Sequence, residues 1–349
     1  MIHKTKNYLR FLAEGREDGV LSKILFPFLA LSEVVYGQAV ALNRSLHEKK
    51  VLSRTRLPFP VISVGNITWG GTGKTPLVEY LARSAASHNK NVLILTRGYG
   101  KDESEQLRQN LPRVLVGVGA DRVAVAQKLA EKNKIDLAIL DDGMQHWPLE
   151  RDMDIITVNA LNPFGNGHLI PRGILREPAA MLSKAAVIVI THATLVTPAE
   201  LDKLRLEIQK NAPKAQIVES CLEPLFFYRA QKRSRLSIDR LQKQKVTTFS
   251  GLGTPRSFQL LLSHFQIRPI RNFEFPDHHH FSEKELEEIK KVSESSSSGE
   301  IITTEKDFYR APEKISKVLN PLILAVRLRI LKGEDVLAHQ VFKSVGVIQ

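Results

Sequence analysis

The sequence predicts an α/β fold in which a mainly parallel sheet carries helices on both faces. Hydrophobic runs typical of strands alternate with helical patterns, and such alternation requires crossover helices between parallel strands. Candidate strands of the first half are residues 60–64, 91–96, 114–117, 137–141, 154–159 and 186–191. After a polar, basic stretch at 221–240 the candidate strands are 244–250, 268–275, 300–304 and 322–326. We therefore expect a larger α/β domain over 57–225 and a smaller C-terminal α/β domain over 226–349.

Helix signals lie between these strands. Thr197, Pro198 and Glu200 form a capping box with proline at the first helical position, which predicts a helix running to about residue 211. Ser282 and Glu285 repeat the capping pattern. Further helical patterns cover 120–132 and open near 254–255.

Residues 1–56 precede the first candidate strand and contain a hydrophobic stretch, 21–42, that is as long as a membrane span. Lys23, Glu33 and Gln38 interrupt it, and such residues are costly in the hydrocarbon of a bilayer. A membrane-associating helix that lies on the surface is therefore predicted, and an amphipathic helix packed on the protein's own core stays open as an alternative. Basic residues that favour anionic headgroups flank the stretch: Lys4, Lys6, Arg10, Arg16, Lys23, Arg44, Lys49, Lys50, Arg54 and Arg56.

The most informative segment is 61–79, VISVGNITWGGTGKTPLVE, in which a strand pattern leads through a glycine-rich turn into a helix. This arrangement is typical of a phosphate-binding loop (P-loop), whose backbone N–H groups and helix N-terminus bind a polyphosphate. Lys74 is expected to reach the β- and γ-phosphates of ATP, and the Thr75 hydroxyl is expected to ligate Mg²⁺. Candidate nucleotide-binding residues are Thr68, Gly70, Gly71, Thr72, Gly73, Lys74 and Thr75.

Two carboxylates follow the hydrophobic strand 137–141. Asp141 and Asp142 are expected at the carboxyl edge of the parallel sheet, where the P-loop also lies. Carboxylate oxygens are ligands that Mg²⁺ prefers. Both are therefore candidate metal ligands, in an arrangement similar to a Walker B motif.

Composition is that of a soluble globular protein, with 349 residues, 43% hydrophobic and 25% charged. The formal net charge of +13 favours anionic partners, which include nucleic acid, nucleotides, a phosphorylated glycolipid and an acidic membrane surface. Cys221 is the single cysteine, so an intrachain disulfide and cysteine-rich zinc sites are excluded.

Six motifs together resemble the tetraacyldisaccharide 4′-kinase family, the lipid A 4′-kinases. In chain order they are SVGNITWGGTGKTP, LTRGYG (95–100), DDGMQH (141–146), RDMDI (151–155), FGNGHLIPRGILREP (164–178) and TEKD (304–307). The resemblance implies a P-loop kinase that transfers the ATP γ-phosphate to the 4′-hydroxyl of tetraacyldisaccharide 1-phosphate. It also implies a place at the cytoplasmic face of the bacterial inner membrane, peripheral or N-terminally anchored.

The resemblance also supplies catalytic candidates. The family's catalytic aspartate sits in Gly-Asp-Glu-Pro, and Asp102 in the shorter segment KDES is the match, with Lys74 as the catalytic cation. A histidine pairs with that aspartate, and His278 in PDHHH is the match, whereas zinc at these adjacent histidines is not expected. Arg176 and Arg172 are expected to bind either the phosphates of ATP or the 1-phosphate of the substrate. The family often has a small residue at the position of Arg172. Other residues that match family positions are Gln145, His146, Glu305 and Lys306. For His146 the resemblance implies either a role near Mg²⁺ or a packed place in the turn. For the other three residues no specific chemistry is predicted.

Two other function classes stay open at this point. The loop GGTGKT is similar to that of partition-type switch ATPases, although Trp69 stands where their signature lysine is expected. A basic protein that binds nucleic acid without catalysis is the other, and no recognition-helix or aromatic RNA-binding motif supports it. We therefore expect no nucleic acid partner.

Overall fold

The computed structural model describes residues 20–98, 101–231, 234–296 and 298–344. Lys4, Lys6, Arg10 and Arg16 of the predicted basic flank, and residues 99–100 of the LTRGYG motif, lie outside these ranges. Twelve strands fall within them: β1 Val61–Gly65, β2 Val92–Thr96, β3 Leu115–Val118, β4 Leu137–Asp141, β5 Met153–Asn159, β6 Val187–Thr191, β7 Gln216–Tyr228, β8 Arg235–Leu236, β9 Lys245–Ser250, β10 Arg268–Glu274, β11 Glu300–Thr304 and β12 Leu322–Lys332.

The α-helices of the described ranges are numbered in chain order. They are α1 Val20–Glu48, α2 Lys74–Ser87, α3 Lys101–Asn110, α4 Arg122–Ala130, α5 Pro198–Asn211, α6 Pro255–His264, α7 Glu283–Ser295, α8 Glu305–Arg310, α9 Pro312–Val318 and α10 Glu334–Ser344.

All twelve strands belong to one sheet, with the order β10-β9-β11-β12-β7-β6-β5-β1-β4-β2-β3 and with β8 paired to β7. Neighbouring strands are parallel except for the β7–β12 and β7–β8 pairs. The predicted α/β fold with a parallel sheet is confirmed. The long strand β7 begins before the polar stretch at 221–240 and ends within it. It joins the strands of the first half to those of the second half.

Helices cover both faces of the sheet. On one face of the first half, Ile62 and Val64 of β1 pack against Leu77 and Leu81 of α2. On the other face, Val61 packs with the side of the sheet that α4 covers. Alternate residues of β1 thus enter different cores, as the two-residue period of a strand requires. All five residues of the strand are buried.

The C-terminal helix α10 packs against the first half of the chain. Leu337 and Val341 of α10 share a hydrophobic cluster with Leu77 of α2, and the Tyr80 hydroxyl donates a hydrogen bond to Glu334 (2.7 Å). The second half has its own clusters, one under α6 and one under α7 and α9. A domain division near residue 225 stays a prediction.

One face of α1 packs on the protein. Glu33 accepts hydrogen bonds from the Leu169 N–H (2.9 Å) and from Arg172 (3.3 Å), and the Tyr36 hydroxyl donates to the Arg176 carbonyl (3.1 Å). Another set of α1 side chains is exposed and apolar: Phe28, Leu31, Val34, Val35 and Leu42. Within the described ranges, no helix combines the length and hydrophobicity that crossing a bilayer requires.

Candidate active site

The glycine-rich turn between β1 and α2 is formed as the sequence predicts. Gly73 caps α2 with φ +78°, a conformation that side chains rarely adopt, and a Cβ there would lie 3.1 Å from Thr191 Cγ2. Lys74 Nζ donates to Asn66 Oδ1 (3.1 Å) and lies 3.5 Å from Asp142 Oδ1. The lysine is thereby held over the turn, beside the end of β4.

Asp141, the last residue of β4, is buried, and the Thr75 hydroxyl donates to its Oδ2 (3.3 Å). Burial and the nearby carboxylates of Glu103 and Asp142 together raise the pKa of Asp141 to about 7, although the charges of Lys74 and Arg122 lower it. A cation beside Asp141 would favour its ionised form.

Asp142 has a different environment. Arg176 Nη1 donates to both of its carboxylate oxygens (3.0 and 2.9 Å). Although burial opposes ionisation, the charges of Lys74 and Arg176 hold the pKa of Asp142 well below its usual range. Asp142 is therefore ionised and already engaged by two cations.

These donors suit Mg²⁺. The hydroxyl of Thr75 and the carboxylate of Asp141 lie next to each other, and both are hard oxygen ligands of the kind that Mg²⁺ prefers. The hydrogen bond described for the Asp141 carboxylate comes from this neutral hydroxyl and not from a cation. Since both oxygens of Asp142 are bonded to Arg176, Thr75 and Asp141 fit the ion better than Asp142 does.

The two predicted arginines are separated. Arg176 lines the cavity next to Asp142. Arg172 instead binds Glu33 of α1 and lies over the ring of Phe26, 5.6 Å from its centroid. Arg172 thus holds α1 on the protein.

Gln145 and His146 support the turn rather than line the cavity. Gln145 Nε2 donates to the Asn66 carbonyl (3.2 Å). Burial, together with the charges of Arg122 and Arg151, lowers the pKa of His146 to about 4, so this imidazole is neutral at pH 7.

Asp102 and His278, more than 170 residues apart in sequence, are brought together. Asp102 lies in the first turn of α3, is 2% exposed, and accepts a hydrogen bond from Arg310 Nε at Oδ2 (2.9 Å). His278 Nδ1 lies 3.8 Å from the same oxygen, and its side chain is 45% exposed. Oδ1 of Asp102 is buried without a hydrogen-bond partner among the described residues.

A cavity of about 250 Å³ joins these groups. Its first wall consists of residues 69–75, Asp141, Asp142 and Arg176, and its second wall of Glu103, residues 252–254, Asp277, His278 and residues 304–306. Of the Asp102–His278 pair, His278 lines the cavity, and Asp102 lies behind the second wall.

Residues 253–254 were not predicted to belong to the site. The Thr254 hydroxyl donates to the Gly71 carbonyl (3.1 Å), and a Cβ on Gly253 would lie 2.2 Å from the Gly71 nitrogen. The second half of the chain therefore contacts the P-loop directly. The GLGTP sequence carries glycines at the contact, which is the only local signal for it.

The chain is similar to known proteins over most of its length. Residues 24–345 match the family model described as tetraacyldisaccharide-1-P 4′-kinase. The "Probable tetraacyldisaccharide 4′-kinase, mitochondrial" of Arabidopsis thaliana is 35% identical over 94% of this chain and 92% of its own length. The tetraacyldisaccharide 4′-kinase of Anaeromyxobacter sp. (strain K) is 34% identical over 88% of each chain.

A solved structure is similar across the fold. The crystal structure of LpxK from Aquifex aeolicus in complex with ATP has a TM-score of 0.66 and 26% sequence identity. The match covers 93% of this chain and 100% of that one.

Proposed function

The chain belongs to the tetraacyldisaccharide-1-P 4′-kinase family, and from that premise we propose the residues that carry out its reaction. It is an ATP-dependent kinase of lipid A biosynthesis that transfers the γ-phosphate to the 4′-hydroxyl of tetraacyldisaccharide 1-phosphate. The observation that carries the residue assignment is the convergence of a P-loop, a buried carboxylate and the Asp102–His278 pair on one cavity.

The first wall binds the nucleotide in this proposal. The backbone N–H groups of the turn and Lys74 contact the phosphates, and Arg176 lies within reach of the same anion across Asp142. Thr75 and Asp141 would hold Mg²⁺, and the ion would supply positive charge that offsets the negative charge of the phosphates. Lys74 then stabilises the negative charge that develops during transfer.

The second wall activates the acceptor. The sugar hydroxyl contacts His278, and the hydroxyl proton passes to the Asp102–His278 pair as the oxygen attacks the γ-phosphorus. The bond from the γ-phosphorus to the β-phosphate oxygen breaks in the same step, and ADP leaves. One oxygen of Asp102 is bound by Arg310, while the other keeps its capacity to accept. The 3.8 Å separation between Asp102 and His278 is longer than a hydrogen bond, and such contacts shorten in substrate complexes.

We also propose that the chain works on a membrane surface, with α1 as the contact. The exposed apolar residues Phe28, Leu31, Val35 and Leu42 recur at intervals of three, four and seven, which places them on one side of the helix. The opposite contacts, through Glu33 and Tyr36, fix α1 to the elements that carry Arg172 and Arg176. The cytoplasmic face of the bacterial inner membrane is the proposed location.

Vesicle binding tests the membrane proposal. Leu31→Asp with Val35→Asp should lower binding to anionic vesicles at least about tenfold, because two apolar contacts are replaced by charges that anionic lipid repels. Leu206→Asp, an exposed leucine on α5, is the matched control. Equal binding of both variants would contradict the role of α1.

Hinge motion between the two halves is the proposal for water exclusion. Residues 253–254 already contact the P-loop in this structure, and in the closed state this contact would hold the reacting groups away from solvent. The connection at 221–240 is where we expect the bend. Crystals with and without an ATP analogue that show the same angle between the halves would remove this proposal.

Transfer of labelled γ-phosphate from Mg·ATP to tetraacyldisaccharide 1-phosphate in detergent micelles tests the function. The unaltered chain should form product, and Lys74→Ala should reduce kcat about 10²- to 10³-fold, as expected for a lost cation at the transferred phosphate. Hydrolysis of ATP without phosphorylation of the lipid would favour a switch ATPase instead.

A further inference from the structure

The two consecutive acids at the start of α3 are both bound by α8, which comes from the opposite half of the chain. Arg310 Nε donates to Asp102 Oδ2 (2.9 Å), and Lys306 Nζ lies 3.0 Å from Glu103 Oε1. Lys306 and Arg310 are four residues apart, so both project from one face of α8. The spacing on α8 therefore matches the adjacent acids on α3.

A third carboxylate joins the two cations. Asp277 Oδ1 accepts hydrogen bonds from Lys306 (3.3 Å) and from Arg310 (3.2 Å). We call the resulting set the ion-pair ring, and its members are Asp102, Glu103, Asp277, Lys306 and Arg310. It contains three carboxylates and two cations, so it leaves one negative charge in excess.

His278 sits against this ring. It follows Asp277 in the left-handed conformation (φ +58°), with Nδ1 3.8 Å from Asp102 Oδ2 and Nε2 3.9 Å from Asp277 Oδ2. The imidazole thus lies between two ring carboxylates, and the backbone that aims it is the same turn that carries Asp277.

Two members of the ring are deeply buried. The side chains of Arg310 and Asp102 are each 3% exposed. Arg310 also donates to the Gly251 carbonyl (2.7 Å) and to Asp307 (2.8 Å), which fixes its plane. The carboxylates of Glu103 and Asp277 raise the pKa of Lys306 above its usual range, although burial opposes this. Lys306 is therefore charged at neutral pH.

We infer that Lys306 and Arg310 are positioning residues for phosphoryl transfer, which hold Asp102 and Asp277 on either side of His278. This inference rests on the proposed function of the Asp102–His278 pair. It assigns a role to the TEKD segment: Thr304 caps α8 by accepting from the Asp307 N–H (3.2 Å), and α8 then supplies the cations. Since Lys306 binds Glu103 and Arg310 binds Asp102, the proton acceptor is complete only while α8 contacts α3.

Steady-state kinetics of the full chain test this inference. Lys306→Met should lower kcat about 10²-fold, the loss expected when a reacting group is misplaced by about 1 Å. The KM for Mg·ATP should stay within about threefold of its original value, because the first wall is untouched. Lys306→Arg keeps the charge and should retain kcat within about tenfold. Lys317→Met, which removes an exposed lysine of α9, should behave as the unaltered chain.

Asp277→Asn provides a second route if Lys306→Met does not fold. It removes one ring charge with little change of shape, and kcat should fall about tenfold with KM for Mg·ATP unchanged. A folded Asp277→Asn or Lys306→Met with the kcat of Lys317→Met overturns the inference, as does a loss confined to KM for Mg·ATP. Failure of the proposed function gives a different result, because the unaltered chain would then form no phosphorylated lipid.

Discussion

The two walls of the cavity are built in different ways. The first wall comes from the first half of the chain alone, in which the turn at 66–73 leads into Lys74 and Thr75, and Asp141 and Asp142 stand at the end of β4. The second wall brings together the starts of α3 and α8 and the turn at 277–278, segments that lie about 30 to 200 residues apart. In the proposed mechanism, phosphate binding depends on residues of the first half, whereas activation of the acceptor depends on the packing of the two halves.

Asp102→Asn should have the largest effect and should separate the two walls. Loss of the carboxylate proposed to accept the proton is expected to lower kcat about 10²- to 10⁴-fold. Equilibrium binding of an ATP analogue should change little, because Asp102 does not line the first wall. Asp239→Asn, an exposed acid of the second half, is the control. A comparable loss of nucleotide affinity in Asp102→Asn would show that the walls are not independent.

Gly253→Ala tests the point where the walls touch. Its Cβ would lie 2.2 Å from the Gly71 nitrogen, so either the P-loop or the 251–254 segment must move. Overpacking of this kind costs about 1–3 kcal/mol, which corresponds to a rise of about 5- to 150-fold in KM for Mg·ATP if the whole cost falls on ATP binding. Gly299→Ala, whose Cβ would meet nothing nearer than 3.8 Å, should leave KM unchanged. An unchanged KM in Gly253→Ala would mean that this contact opens before ATP binds.

The smallest expected effect concerns the pH dependence of stability and comes from Glu305 of the second wall. Burial and the nearby charge of Glu79 raise its pKa to about 7, above the value near 4.3 of an unfolded chain. The folded state therefore holds a proton that the unfolded state has lost, and the free energy of unfolding should fall as pH rises from about 4.5 to 7. The slope from this group is at most about 1.4 kcal/mol per pH unit.

Glu305→Gln should flatten that decline. Urea unfolding at pH 5 and pH 8 measures it, and Glu313→Gln, an exposed acid of α9, is the matched control. The difference in stability between the two pH values should be smaller in Glu305→Gln than in the control. Identical pH dependence would mean that Glu305 is ionised in the folded protein near pH 5.

The sequence predicts the first wall and most strands because both depend on neighbouring residues. Gly70, Gly73, Lys74 and Asp141 occupy one strand-to-helix turn and one strand end, where local pattern and chemistry coincide. The site roles of these residues stay predictions.

Other features could not be predicted because their partners are distant. The α3 sequence KDESEQLRQN is almost wholly polar, and its buried Leu107 gives too weak a period to indicate a helix. The sequence does not distinguish Arg310, which binds Asp102, from the other basic residues, because the chain contains 50 lysines and arginines. For α1, the sequence left membrane binding and packing on the protein as alternatives. The structure shows that packing engages one face and leaves apolar residues exposed on another.

The pairing of β7 with β12 has a consequence for synthesis of the chain. β7 completes the sheet of the first half at β6, but its other edge is covered along most of its length by β12, which ends at Lys332, roughly a hundred residues later. At about 5–20 residues per second, a ribosome needs about 5 to 20 s to make that interval. During this time a long strand presents unpaired backbone groups, the kind of edge at which nascent chains aggregate. Chaperone capture during translation should therefore concentrate between completion of β7 and emergence of β12.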